Sequence, residues 1–301
     1  MSTTAIRLLR LGKQYGRLQA LTDVSLEVQC GEVFGFLGLN GAGKTTTIRI
    51  LLDLVRPTTG RAMVFDRDCQ TNGLEVRARI GYLPGEPGFY GDMSGEATLD
   101  LLGRLSAQRV DPVRRRALLD RLEFAAADLR RPLREYSTGM KRKLGIIQAF
   151  QADAPLLLLD EPTEGLDPLM QEAFYELLGD VRRRGRTVFM SSHVVPEVER
   201  VCDRLALLRG GAVALVSTIE ELRNVAGRRV RVSFTADVEP LAVWPHGCEA
   251  LGIEPRVWNL RVRGPLGPLV TLLASRPLTD LDVETPRLEE VLRKYYAAET
   301  R

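Results

Sequence analysis

Val33-Phe34-Gly35-Phe36-Leu37 is a short apolar run that leads straight into Gly38-Leu39-Asn40-Gly41-Ala42-Gly43-Lys44-Thr45-Thr46. A nearly continuous apolar run of this length suits a strand buried on both faces. Behind the glycines, Ile48, Leu51, Leu52 and Val55 fall at i, i+3, i+4 and i+7, one face of a helix that Pro57 stops. Gly38-x-x-x-x-Gly43-Lys44-Thr45 between such a strand and helix is a P-loop. Its glycines let the backbone curl until the N–H groups face phosphate oxygens. The helix N-terminus adds roughly half a positive charge. The expected nucleotide contacts in this loop are Asn40, Gly41, Gly43, Lys44, Thr45 and Thr46. Lys44 is expected to reach the β- and γ-phosphates, and Thr45 to hold Mg²⁺.

Working outward, Leu156 to Leu159 is a second apolar run and ends in Asp160-Glu161. Thr187-Val188-Phe189-Met190 is a third and ends in Ser191-Ser192-His193. Buried strands separated by helical segments imply an α/β fold with a mostly parallel core sheet. Open sheets of this kind bind ligands at the C-terminal ends of their strands. Asp160 is therefore expected to hold Mg²⁺ through water, and Glu161 to act as general base on the attacking water. Val24 to Val28 alternates apolar and polar residues, as a half-exposed strand does. From about 86 to 150 strand signals are absent. Leu99, Leu102, Leu105 and then Ala117, Leu118, Leu122 repeat at helical spacing, so this stretch reads as a helical insertion.

Tyr136-Ser137-Thr138-Gly139-Met140 precedes Asp160 by just over 20 residues. It resembles the signature sequence of ATP-binding cassette (ABC) ATPases, and the likeness covers roughly residues 5–215. The ordered set of P-loop, helical insertion, signature, Asp-Glu pair and His193 makes the resemblance specific. In that family the signature Ser and Gly contact the γ-phosphate held by the opposite subunit, which carries over to Ser137 and Gly139. Glu164-Gly165-Leu166-Asp167 matches the D-loop, so the resemblance puts Asp167 at a dimer interface. His193 matches the switch histidine at the γ-phosphate, and Tyr15 matches the aromatic that stacks on adenine. The chain departs from the family at one place. After Ile80-Gly81-Tyr82-Leu83-Pro84 the usual Gln is Gly85, followed by Glu86. Either Glu86 replaces that side chain at the metal after a one-residue shift, or it faces solvent.

The chain has 301 residues and a net charge of +3, so nothing in its charge demands a nucleic-acid partner. Arg114-Arg115-Arg116 and Arg182-Arg183-Arg184-Gly185-Arg186 read as solvated helix surfaces or ends. Four scattered cysteines with no CxxC pair offer no zinc site or disulfide framework, and point to reduced thiols. No apolar run approaches the ~18 residues of a membrane span, and Met1 to Leu11 holds no apolar stretch long enough for a signal peptide. The expected division is an ATPase domain over 1–217 and an accessory α+β domain over 218–301. In the second part Arg229–Phe234 and Arg256–Arg263 alternate like strands, and a last helix spans about 287–297 behind a Thr285-Pro286 start. That end, with Tyr295-Tyr296, resembles the ATPase subunits of drug, antibiotic or polysaccharide exporters whose permease is a separate chain. The resemblance thus implies an ATP- and Mg²⁺-dependent ATPase. It would pair with a second copy and dock on a permease at the cytoplasmic face of the membrane. The rival reading is a single-cassette ATPase acting on a nucleic-acid or ribosomal partner.

Overall fold

The computed structural model describes residues 3–241, 243–285 and 287–296. Two compact units divide the chain, Met1–Val216 and Ser217–Arg301.

The first unit opens with strands β1 (Thr4–Tyr15) and β2 (Leu18–Gln29), then β3 (Val33–Leu37) and helix α1 (Lys44–Leu51). Next come β4 (Thr59–Val64), β5 (Arg67–Asp68), α2 (Gly73–Arg77) and β6 (Ile80–Leu83). Helices α3 (Gly95–Leu105), α4 (Pro112–Arg121), α5 (Ala126–Leu129) and α6 (Thr138–Phe150) follow with no strand between them. The unit closes with β7 (Leu156–Asp160), α7 (Pro168–Arg183), β8 (Thr187–Ser192), α8 (Val195–Val201), β9 (Arg204–Arg209) and most of β10 (Ala212–Thr218), whose last two residues lie past Val216.

Six of these strands make the core sheet in the order β10-β9-β3-β8-β7-β6, and the β9-β3-β8-β7-β6 neighbours run parallel. Every residue of β3, β7 and β8 is buried, as apolar runs covered on both faces should be. Phe34 and Phe36 pack on Phe189, with ring centroids 5.9 and 5.1 Å apart. Register then does the positioning. Leu37 lies opposite Ser192, Asp160 opposite Ser191 and Leu83 opposite Leu159. The loops that follow β3, β6, β7 and β8 therefore leave the sheet along one edge.

A second sheet, β2-β1-β4-β5, is antiparallel and not apparent in the apolar runs alone. Its inner residues, Ile6, Leu8, Val24, Val28 and Val64, share one core with Phe34, Phe36, Ile48 and Leu51.

The arginine clusters are not simply solvated. Arg114 donates to Phe150 O at 2.9 Å and pairs with Asp153 at 2.8 Å, while Arg186 reaches the same carboxylate at 2.7 Å. Arg121 pairs with Asp180 at 2.5 Å. Two clusters some 70 positions apart thus converge on one shared carboxylate, Asp153, and with Arg121 they fasten α4 to α6 and α7. Sequence patterning could not show this, because both acidic partners lie outside the clusters. The more exposed of these pairs, such as Arg121–Asp180, contribute only about 0–1 kcal/mol each.

The second unit comprises α9 (Ile219–Ala226), β11 (Arg228–Phe234), β12 (Cys248–Glu254), β13 (Val257–Val262), α10 (Gly267–Leu273), β14 (Leu278–Glu284) and α11 (Leu288–Tyr296). Thr218 and Glu221 form a capping box at the start of α9. The sheet is antiparallel throughout, ordered β12-β13-β11-β14. Val230, Val232, Trp258, Leu260 and Val262 bury one face against Leu269 and Leu273 of α10. Trp258 is fully buried, edge-on to Phe234 at 4.7 Å and to Trp244 at 5.2 Å. The Pro286 of the expected helix start, and Ala297, lie outside the described residues.

Because each unit carries its own core, a chain ending at Thr218 is expected to bind ATP with an affinity close to that of the full chain. Equilibrium titration of both forms checks this. Loss of folding together with binding would mean that the cassette depends on the second unit.

Candidate functional site

The P-loop geometry follows from its glycines. Gly41 and Gly43 take φ of 79° and 107°, in the left-handed region that glycine enters without steric cost. A side chain at Gly43 would also collide with Ala20 O at 2.7 Å. Asn40 and Gly41 are exposed at the crest of the turn, and Thr45 and Thr46 are half-buried in the first turn of α1. Lys44 is buried. Its ammonium donates to Gly38 O at 2.6 Å and Leu39 O at 3.3 Å, and pairs with Glu161 Oε1 at 3.2 Å.

Glu161 is the hub. Its other oxygen, Oε2, lies 2.9 Å from His193 Nδ1, so one carboxylate bridges Lys44 and His193. Its backbone is held in the left-handed region at φ 48°, a conformation costing an ordinary residue about 1 kcal/mol or more. Ser191 supports both acidic residues: its hydroxyl donates to Asp160 Oδ1 at 2.5 Å and accepts from the Glu161 N–H at 3.1 Å. Asp160 itself is buried. Its Oδ2 faces Gly85, where an added Cβ would stand 3.6 Å away. Glu86, by contrast, is exposed.

The donors on offer to a cation are the Thr45 hydroxyl and the Asp160 carboxylate. Both are hard oxygens, and among the described residues no group of three or more His, Cys, Asp or Glu is placed to hold a metal ion. This sparse oxygen set fits Mg²⁺, which usually takes one or two protein ligands beside phosphate and water.

The other expected residues lie elsewhere. Ser137 is the exposed N-cap of α6 and accepts from Met140 N at 3.2 Å. Asp167 is the exposed N-cap of α7 and accepts from Met170 N at 3.0 Å. Gly139 abuts the 161–167 turn, with its would-be Cβ 3.4 Å from Gly165 O. Among the described residues no hydrogen bond or ion pair joins Ser137, Gly139 or Asp167 to Lys44, Asp160 or Glu161. Tyr15, at the end of β1, is 43% exposed, with Lys13 Nζ 4.8 Å above its ring.

Several supporting residues escaped the reading of the sequence. Besides Ser191, the buried Glu197 of α8 accepts from Thr163 Oγ1 and from Ser192 Oγ at 2.9 Å, tying the turn after Glu161 to the strand end before His193. Arg142 on α6 is buried and donates to Pro84 O at 2.9 Å, to Gly85 O and to Glu164 O at 3.0 Å. Burial pushes its guanidinium down from the ordinary arginine range, against the opposing pull of Glu164, Asp160, Glu161 and Glu86. Only the local string Lys141-Arg142-Lys143 was visible, and it does not distinguish the buried member.

Comparison with known proteins bears on the family of the chain. A family described as ABC transporter matches residues 21–164. A daunorubicin resistance ATP-binding protein of Streptomyces coeruleorubidus is 33% identical over 290 residues, covering 95% of this chain and 82% of that one. A bacitracin transport ATP-binding protein of Bacillus licheniformis is 34% identical over 212 residues, covering 69% and 68%. Among solved structures, a dimeric ATP-binding cassette in a post-hydrolysis state with ADP and Pi shares the fold. Its TM-score is 0.65 at 21% identity, and the match covers 71% of this chain and 98% of that one. With the P-loop, the Asp160-Glu161 pair and His193 gathered at one sheet edge, the chain belongs to the ATP-binding proteins of ABC transporters and is an ATPase.

Proposed function

We propose that this chain is the ATP-hydrolysing subunit of an exporter whose permease is a separate polypeptide. The observation that carries the chemistry is Glu161, bridging Lys44 and His193 beside the buried Asp160. The P-loop N–H groups and Lys44 bind the phosphates, and Tyr15 stacks on the base. A γ-phosphate oxygen drawn to Lys44 competes with Glu161 for the ammonium and frees that carboxylate. Glu161 then accepts a proton from a water molecule. The water oxygen bonds to the γ-phosphorus as the bond to the bridging oxygen breaks, leaving ADP and phosphate. His193 and Lys44 face the charge on the departing phosphoryl group. Thr45 and Asp160 would hold Mg²⁺, which would supply neutralisation of phosphate charge when bound.

Ser137, Gly139 and Asp167 find no role in this chain's own site. Their place in the reading is on a second copy, whose signature closes over the ATP held by the first. Among the described residues no helix is long and apolar enough to cross a membrane. In this reading the membrane is reached by docking on the permease, at its cytoplasmic face. The relatives named for drug resistance and antibiotic transport favour export. Co-purification of the tagged chain with a multi-span membrane protein, together with Mg²⁺-dependent ATPase activity, tests the proposal. Recovery of ribosomes or nucleic acid instead would overturn it.

The loop that leaves β6 is the candidate docking element. Tyr90 is 75% exposed and Phe89 half-buried, and adjacent aromatics of this kind make strong interface anchors. Replacing both by Ala is expected to leave the ATPase activity of the isolated subunit nearly intact and to uncouple it from transport. Unchanged transport by the double variant would reject the docking role.

A further inference from the structure

Residue 85 stands beside the Asp160 carboxylate, yet it has no side chain. Its backbone is outside the left-handed region, and a Cβ there would make only ordinary contacts, the nearest being Asp160 Oδ2 at 3.6 Å. Neither strain nor crowding therefore demands glycine. What holds the loop in place is instead its backbone, gripped from below. Pro84 O and Gly85 O both accept from the guanidinium of Arg142, a residue only 4% exposed. The same side chain donates through Nε to Glu164 O, three residues after Glu161. Arg142 belongs to the second turn of α6, the helix that Ser137 caps.

One planar group thus spans three segments: the 84–85 loop at Asp160, the 161–164 turn that carries Glu161, and the helix behind Ser137 and Gly139. A guanidinium is suited to this, because its donors point in fixed directions within one plane. A lysine ammonium on a flexible stem cannot hold three separated carbonyls in the same geometry. Carbonyl acceptors also make the grip independent of which side chains stand at 84, 85 and 164.

We infer that Arg142 is a positioning residue for hydrolysis, locking the loops of Asp160 and Glu161 to the helix that presents Ser137 and Gly139. Resting on the nucleotide-site reading above, it makes the placement of the acidic pair depend on the position of α6. A signature helix displaced from its seat draws Gly85 O and Glu164 O with it. Seating it returns both loops to the geometry that hydrolysis needs.

Arg142→Gln and Arg142→Lys in the full chain test this, with Glu161→Gln as reference. Turnover, affinity for a fluorescent ATP analogue and thermal midpoint are measured for each. Misplacing a reacting group by about 1 Å costs on the order of 100-fold. Arg142→Gln is expected to lower kcat on that scale, and Arg142→Lys to fall between it and the parent. Nucleotide affinity should stay within about threefold, as the phosphate contacts of the P-loop are untouched. If Arg142→Gln does not fold, Arg142→Lys decides by the same split between kcat and affinity. Turnover near that of the parent in Arg142→Lys, or in a folded Arg142→Gln, would overturn the inference. So would a loss of turnover matched by an equal loss of nucleotide affinity, which marks a merely structural arginine. Normal turnover in Glu161→Gln would instead overturn the site assignment on which the inference rests.

Discussion

Glu161→Gln is expected to reduce ATP turnover at least ~100-fold, the scale of a positioned base, while ATP binding survives. The amide keeps the shape of the carboxylate and can still accept a hydrogen bond, but it cannot take a proton from water. Lys44 then loses an ion-pair partner at 3.2 Å and keeps its bonds to Gly38 O and Leu39 O, so the P-loop stays assembled. With nucleotide bound and not consumed, the variant should sediment as an ATP-dependent dimer. Normal turnover together with only monomers in ATP would sink both the base assignment and the closed dimer.

Lys44→Ala acts one step earlier. Charge-assisted hydrogen bonds contribute about 1.5–3 kcal/mol, so losing the ammonium should weaken ATP by roughly 10- to 100-fold or more. The change also leaves Glu161, with its side chain 15% exposed, facing the phosphates without a compensating cation. That adds repulsion to the lost contact, so tight binding should be abolished. The measurement is titration with a fluorescent ATP analogue, and equal affinity in variant and parent would remove the P-loop from the site.

The two variants probe residues that were legible in the sequence, and the reason is local. Lys44 and Thr45 follow a buried run and glycines that only one kind of turn requires, and Asp160-Glu161 ends a run of four leucines. Each signal is complete within about a dozen positions. The support around them is spread along the chain. Ser191 reaches Asp160 across 31 positions, Arg142 reaches Pro84 across 58, and Glu197 reaches Thr163 across 34. No periodicity marks a partner at such separations. The strands β1, β4 and β5, and the sheet they share with β2, were obscure for a related reason. Their inner residues contribute to the same core as β3 and α1, so hydrophobic pattern alone does not assign them to a sheet of their own. Gly85 shows the converse. Its departure from the family was plain, while the arginine that holds its carbonyl came from a basic triplet with nothing to single it out.

The aromatic cluster of the second unit has a practical consequence. The chain has two tryptophans, and Trp244 and Trp258 both lie after Ser217, touching each other. Emission excited at the red edge of the protein spectrum therefore originates in that unit alone, while the ATPase unit is spectroscopically silent at that wavelength. In a denaturant titration the fluorescence of Trp258, shielded from water in the native state, reads the unfolding of the second unit. Circular dichroism, dominated by the larger unit, reads the first. The protein thus carries a built-in optical label with which the cooperativity of its two halves can be followed without adding a dye.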